Sequence, residues 1–533
     1  MSRSLKNIGI VSVATMGSRV LGLGRDVLIT AVFGISPLAS AFVTAFTLPN
    51  LFRRLLGEGA LTAALVPTLN DELVRRERSG AFGLVNQVAS WLGLVTLGIV
   101  LVSMGSLAWL ADGELLTRLS DDPDQVARWR LAAELAVLLF PYLIFVCLSA
   151  AFSAALQTLG RFVAPALSPI WLNLAMIGLL AGAVWVGDVR LGDARMRWLC
   201  AGVLLGGLGQ MLVPGLALMR EGWRPRVAFQ LSPAMKSILW LMGSTVSGSA
   251  VYLINLAVSR TIGLSLNGSA AAILNLATRL MELPIGVFGI AVTTVVFPLI
   301  ANYAAKEDWT NLARAYHKGM RLVLAINVPA AVGMVVLGTP LIRLLFQRGA
   351  FTEEATALMA PVLVVFAIGL PVFAYVNLML RAFYAEKDTK TPVRAAVLSF
   401  GVNVGLSLGL MGPLSTVGLA VASTVAVVAQ AVYLHRALTA KRSTLGMGPM
   451  GRSVVKIVVA SGLMGAVVWG GRRLVGLWVG ATPIGDLLLI GTLVPVGVLV
   501  YGGLVWILRL EGRDELLGML RGRKPAAGDR QKS

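Results

Sequence analysis

Long apolar stretches alternate along the chain with short clusters of charge, glycine, proline and serine. A helix needs about 20 apolar residues to cross the hydrocarbon of a bilayer. Runs of that length recur about fourteen times, with cores near 8–33, 38–68, 83–111, 129–157, 163–186, 197–219, 237–263, 268–301, 318–338, 356–384, 392–411, 414–435, 453–471 and 485–508. The pattern predicts an all-α polytopic membrane protein. The first, second and eighth runs are long and contain glycine or proline, which predicts kinks or tilt.

A faint internal repeat organises these runs. Ala155–Pro165 ends one helix and turns into the next, with Arg161 in the turn and Asn173 beyond it. Ala382–Pro392 does the same, with Lys390 and then Asn403. Transporters are often built from such repeats. The expected organisation is a six-helix lobe over 1–219, a basic cytoplasmic linker over 220–236 and a second six-helix lobe over 237–440. Two additional helices follow over 453–508, with a basic tail over 509–533. Glycine spacings such as Gly202–Gly206 and Gly401–Gly405–Gly409 read first as close helix packing.

Composition sharpens this picture. The chain of 533 residues is 57% hydrophobic, only 14% charged, and has a mean hydropathy of +0.80. A soluble protein of this length would need a far more polar surface. The net charge of +20 sits mostly in connections between apolar runs, so it reads as loop charge and not as a nucleic-acid footprint. Basic residues gather in alternate connections, among them Arg75–Arg78, Arg220–Lys236, Lys306–Arg321, Lys387–Arg394 and Arg436–Lys456, while the 112–125 loop is acidic. The positive-inside rule then puts both termini in the cytoplasm of a multi-pass inner-membrane protein. The 188–197 and 339–348 loops carry arginines against this pattern. The apolar N-terminal stretch is interrupted by Arg19, Arg25 and Asp26 and reads as a retained membrane helix. Cys147 and Cys200 sit in apolar runs with no metal-ligand spacing, and His317 and His435, beside basic segments, are expected to be solvated.

Ionisable residues inside three runs carry the candidate chemistry. The first run reads MGSRVLGLGRD with Arg19, Arg25 and Asp26; the second reads AFTLPNLFRRLLGEGA with Arg53, Arg54 and Glu58; the eighth reads ATRLMELPIGVFGIA with Arg279 and Glu282. An arginine at a helix centre costs about 2.5–3.5 kcal/mol to insert, so these groups must face one another, water or an anion. Ion pairing is one reading: Arg54–Glu58 and Arg279–Glu282 have helix-face spacing, whereas the adjacent Arg25 and Asp26 are expected to point apart. Arginine nevertheless exceeds carboxylate, and a guanidinium fork matches phosphate oxygens. Arg19 and Arg25 stand six apart, so a helix break at Gly22 and Gly24 is expected to bring their heads together. No Walker A, HExxH or Cys/His cluster is present, which leaves no catalytic constellation and no cofactor; a metal is not indicated either way.

These segments, with LFQRGAFTEE (345–354) and AEKDTKTPVR (385–394), resemble the MurJ/MviN lipid II flippases of the multidrug/oligosaccharidyl-lipid/polysaccharide exporter superfamily, over about residues 5–508. The resemblance implies two six-helix lobes around a central cavity. It implies flipping of undecaprenyl-pyrophosphate-linked disaccharide-pentapeptide, and a groove on the last two helices for the polyprenyl tail. It places Arg19, Arg25, Asp26, Arg53, Glu58 and Arg279 among the cavity residues, with Asn50 and Glu282 behind them. Many relatives carry acids where Ser40 and Thr278 stand here, which leaves ion coupling open. Hinges are expected at Gly22, Gly24, Pro49, Pro284 and Pro392. The expected partners are lipid II, membrane lipids and the cell-wall synthesis machinery, with no nucleic acid and a monomeric state. The competing readings are an exporter of another polyprenyl-linked glycan and a membrane enzyme acting on a lipid-linked substrate.

Overall fold

The computed structural model describes residues 3–53, 60–112, 114–186, 192–291, 296–476, 478, 480 and 482–509. All regular structure among them is helical. The chain opens with α1 (Arg3–Phe33), α2 (Pro37–Phe52), α3 (Ala60–Asp112), the short α4 (Leu115–Leu119), α5 (Pro123–Leu139), α6 (Tyr142–Thr158), α7 (Val163–Val186) and α8 (Gly192–Arg220). It continues with α9 (Pro233–Leu266), α10 (Ala270–Ala291), α11 (Phe297–Ala305), α12 (Trp309–Phe346), α13 (Glu353–Ala385), α14 (Lys390–Lys441), α15 (Gly451–Gly476) and α16 (Pro483–Ile507).

Among the described residues, eight helices are long and apolar enough to cross a membrane, and α5 with α6, bent by 43°, make a ninth span if taken as one. This is fewer than the fourteen expected runs, partly because long helices join them. The α14 helix carries two runs, turned at Ser415 with φ 49°, and α3 carries the end of the second run and all of the third, turned at Arg76–Glu77 with φ 54° at Glu77. The loop expected around Arg314–Arg321 and most of that at 339–348, up to Phe346, are helical, since they lie inside the 38-residue α12.

Two compact units emerge. The first comprises Met1–Ala272 with Arg348–Thr352, and the second Ile273–Gln347 with Glu353–Ser533. The division therefore falls one helix beyond the 220–236 linker. The reason is local. After Gly222 the linker runs extended along α3, where the Asn86 side chain accepts from Trp223 Nε1 (3.0 Å) and Arg226 N–H (3.1 Å) and donates to Arg224 O (3.2 Å). Ser90 and Trp91 hold Ala228 and Phe229 in the same way, at 2.9 and 3.2 Å. With the linker strapped down, α9 starts against α3 and packs on α2, α3 and α5.

The first unit is built around buried Leu65, Leu139, Leu143, Cys147, Leu180 and Val203. Glycine brings α7 and α8 into backbone contact: a Cβ at Gly202 would lie 2.9 Å from Met176 Cα and one at Gly206 2.7 Å from Leu172 Cα. That is the small-residue packing expected of the pair. Gly401, Gly405 and Gly409 have nothing within 4 Å of a built Cβ, so they make no such contact. The same unit holds a tight backbone approach in which Ala350 N–H donates to Ala31 O at 2.7 Å, between Gly34 (φ 59°) and Gly349 (φ 58°).

In the second unit α12, α13 and α14 enclose Tyr316, Met320, Met359, Leu363 and Phe383. The two turns of the expected repeat share one C-cap geometry, which also closes α8 at Gly222 and α11 at Glu307. The turn after α6 closes with Arg161 N–H on Leu156 O and Gly160 N–H on Gln157 O, with Gly160 at φ 73°. The turn after α13 closes with Asp388 N–H on Phe383 O and Lys387 N–H on Tyr384 O, with Lys387 at φ 58°. Both are the same helix C-cap motif at one fixed offset in sequence. Both histidines are less solvated than expected: His317 Nε2 lies 3.0 Å from Gly446 O, and His435 Nδ1 lies 2.7 Å from the Tyr375 hydroxyl.

Candidate functional site

The arginines of the first unit are placed by α1, α2 and α7. The α1 helix is continuous through Gly22 and Gly24, so the expected break that would merge Arg19 with Arg25 is absent. Six residues along an intact helix separate the two by about 9 Å of rise and about 120°. Beside Gly22, Asn173 Nδ2 donates to Ser18 O at 3.2 Å, and a Cβ at Gly22 would meet this amide at an ordinary van der Waals distance of 3.8 Å. The other end of the same amide accepts from Arg25 Nη1 at 3.0 Å.

Arg25 and Asp26, expected to point apart, form an ion pair: Asp26 Oδ1 accepts from Arg25 Nη2 at 2.5 Å and Nε at 3.0 Å. Arginine is long enough to fold back along the helix to its neighbour, and Asn173 fixes it in that pose. The two side chains are 11% and 15% exposed. Asn173, buried in an apolar run, is therefore a candidate site residue that the charge pattern missed. Its only sequence signal was its place in the repeat. Arg19 stands exposed on the apolar α1 and has no acidic partner among the described residues.

At the end of α2, Arg53 Nε donates to Asn50 Oδ1 at 3.0 Å, while Asn50 Nδ2 donates back to Phe46 O at 2.9 Å. Asn50 thus orients Arg53. Arg54 and Glu58 lie outside the described residues. Pro49, inside α2, is buried. Buried Ser40 accepts from Ala272 N–H at 3.2 Å in the first turn of α10, a position that suits any short oxygen-bearing side chain, since helix N-termini leave N–H groups without partners. A second buried arginine, Arg260 of α9, donates to Ala271 O at 3.3 Å. It sits near the end of its run, which hid it from a search for mid-span charge.

In the second unit, Arg279 Nη1 lies 3.6 Å from Glu282 Oε2, the helix-face pairing that the spacing predicts, with both side chains about half exposed. Thr278 turns its hydroxyl back onto Leu274 O at 2.7 Å. Pro284 is inside α10, and Pro392 falls in the first turn of α14, where proline continues a helix without a break. No cluster of three or more metal-ligating side chains occurs among the described residues.

Comparisons with known proteins bear on the chain as a whole. The family described as "Lipid II flippase MurJ" matches residues 29–484. A Rhizobium meliloti protein named "Probable lipid II flippase MurJ" is 32% identical over 469 residues, covering 87% of this chain and 86% of its own. A Thermotoga maritima protein of the same name is 31% identical over 527 residues, covering 96% and 98%. Among solved structures, "Lipid II flippase MurJ, inward closed conformation" has the same fold, with a TM-score of 0.75 at 24% identity over 95% of this chain and 99% of that one. An inward-facing multidrug resistance transporter of the MOP superfamily matches less closely, at a TM-score of 0.62 and 16% identity over 82% and 99%. The match spans most of the chain in both sequence and fold, and the chain belongs to the MurJ lipid II flippase family.

Proposed function

We propose that this protein translocates a polyprenyl-pyrophosphate-linked peptidoglycan precursor, lipid II, from the inner to the outer leaflet of the cytoplasmic membrane, as a transporter and not as an enzyme. The observation that carries the reading is Arg19. It stands exposed midway along α1, and if α1 crosses the bilayer as its sequence run predicts, lipid contact there would cost about 2.5–3.5 kcal/mol. Water and an anion remove that cost. Arg25, Arg53 and Arg279 serve the same pyrophosphate, with Asn173, Asp26, Asn50 and Glu282 setting their geometry. Glu58 belongs to the same set by its motif. A guanidinium keeps its charge at every physiological pH, so the site attracts phosphate oxygens throughout the cycle.

The headgroup enters an aqueous chamber while the tail remains in lipid, because each CH₂ moved into water costs about 0.8 kcal/mol. Alternating access then turns the chamber outward, with Gly22, Gly24, Pro49, Pro284 and Pro392 as hinges. Both termini lie in the cytoplasm in this reading, which the majority of the basic connections supports. Ser40 and Thr278 supply no titratable proton at their two positions, which argues against proton coupling there.

The test is complementation of a flippase-depleted cell by Arg19→Ala, Arg25→Ala, Arg53→Ala and Arg279→Ala, with lipid II in the inner leaflet as the readout. The unaltered chain relieves the build-up and the variants do not. Normal peptidoglycan export by all four variants would refute the reading. Growth of the cell-wall defect with an untouched lipid II pool would point to another polyprenyl-linked glycan.

A further inference from the structure

A proline inside a helix leaves the carbonyl four residues earlier without its N–H donor, and in a membrane that oxygen must find another. Ser149 Oγ of α6 fills Gln210 O, released by Pro214 of α8, at 2.7 Å. Two more released carbonyls lie on α12, and both are filled from the last two helices. Pro329 releases Ala325 O, which accepts from the Tyr501 hydroxyl of α16 at 2.7 Å. Pro340 releases Val336 O, which accepts from Arg472 Nη1 of α15 at 2.5 Å. Residues 325 and 336 are three turns apart, about 16 Å along the axis and within about 20° of one face.

Packing agrees with these two contacts. Between them Gly465 of α15 meets α12 so closely that a Cβ would lie 2.4 Å from Val332 Cγ1. Beyond them Arg343 of α12 holds Asp486 of α16 through two bonds of 2.5 and 2.6 Å. Polar contacts matter here because apolar side chains gain little by exchanging lipid for one another. Val455, Val458, Leu463, Leu487, Leu488 and Leu499 show that α15 and α16 also expose apolar faces. Apolar burial alone therefore does not select one rotation or register.

We infer that Tyr501 and Arg472 are positioning residues that fix the C-terminal helix pair on α12, in the register where both proline-released carbonyls are filled. The consequence for transport rests on the proposed function: the pair holds the polyprenyl tail beside the moving unit only while so docked.

The test uses the full chain in lipid nanodiscs. Tyr501→Phe lowers the melting temperature by about 2 °C, and most of that drop disappears in a Pro329→Ala background, where the new N–H fills Ala325 O. A Pro340→Ala background leaves the Tyr501→Phe drop intact and instead relieves Arg472→Leu. Equal drops in all backgrounds would overturn the assignment. In cells, Tyr501→Phe with Arg472→Leu at matched membrane abundance slows lipid II export by about tenfold. A disulfide from Val332→Cys with Gly465→Cys, in a Cys147→Ala, Cys200→Ala background, restores it. Wild-type export by the unlinked double variant would overturn the positioning role. Failure of the unaltered chain to export lipid II would overturn the transport reading alone, and the thermal cycle would still decide the docking.

Discussion

Replacing Asn173 by leucine, a side chain of similar volume, tests how the first unit aims its arginine. The amide accepts from Arg25 at 3.0 Å and donates to Ser18 O at 3.2 Å. Arg25 is only 11% exposed, so little water can replace the lost acceptor. A hydrogen bond to a charged group contributes about 1.5–3 kcal/mol. Arg25 keeps Asp26 and a weak 3.9 Å contact with Met176 Sδ but loses its oxygen acceptor on α7. Loss of that orientation should weaken headgroup binding by about 10- to 150-fold. The assay is lipid II export at matched membrane abundance, with thermal unfolding in nanodiscs as the control for folding. Asn403→Leu is the internal comparison: its amide oxygen, buried on α14 of the second unit, accepts from the Ser423 hydroxyl at 3.2 Å. It should lower stability without selectively lowering export. Export at the wild-type level by Asn173→Leu, or equal export losses in both variants, would refute the idea that Asn173 orients Arg25.

Further outcomes follow from other contacts. Asp486→Asn leaves Arg343 without its carboxylate at a site where Asp486 is 2% exposed; loss of one partner of such a pair costs about 3–5 kcal/mol, nearer the lower figure because Arg343 keeps some solvent, and a melting curve should fall accordingly. Gly349→Ala places a Cβ 2.2 Å from Ala31 O at φ 58° and should destabilise strongly, whereas Gly24→Ala, inside α1 with nothing within 4 Å, should hold or slightly raise the melting temperature. In the turn after α13, burial pushes the Asp388 carboxyl up, but the Lys441 ammonium and the N–H and hydroxyl of Thr391 pull it down further, to about 2 from 3.8. A depressed carboxyl stabilises above its unfolded value and loses that contribution as pH falls through its folded one. The melting-temperature gap between the wild-type chain and Asp388→Asn should therefore be flat from pH 8 to 5 and close as pH drops from about 4 toward 2.

Much of the architecture was legible because membrane crossing imposes length and apolarity on each segment without reference to its neighbours. The run at 163–186 coincides with α7, and those at 453–471 and 485–508 fall on α15 and α16 within a few residues. The arginine motifs were legible for the same reason, since charge inside an apolar run is conspicuous. Helix joins were not: α12 extends well past its apolar centre because its ends, with Arg314 and Arg343, remain helical outside the most apolar window.

By itself, then, the sequence determined the helical class, the approximate place of several long apolar helices, the turns at Arg161 and Lys390, and the surplus of guanidinium inside apolar runs. Tertiary structure decided which partner each polar group found. Asn173 reaches Arg25 from 148 positions away, the linker is strapped to α3 by Asn86, and two prolines of α12 acquire donors from helices more than 130 residues later. Local pattern reports what a segment cannot leave in lipid. Only the packed neighbours determine how each charge and each released carbonyl is satisfied.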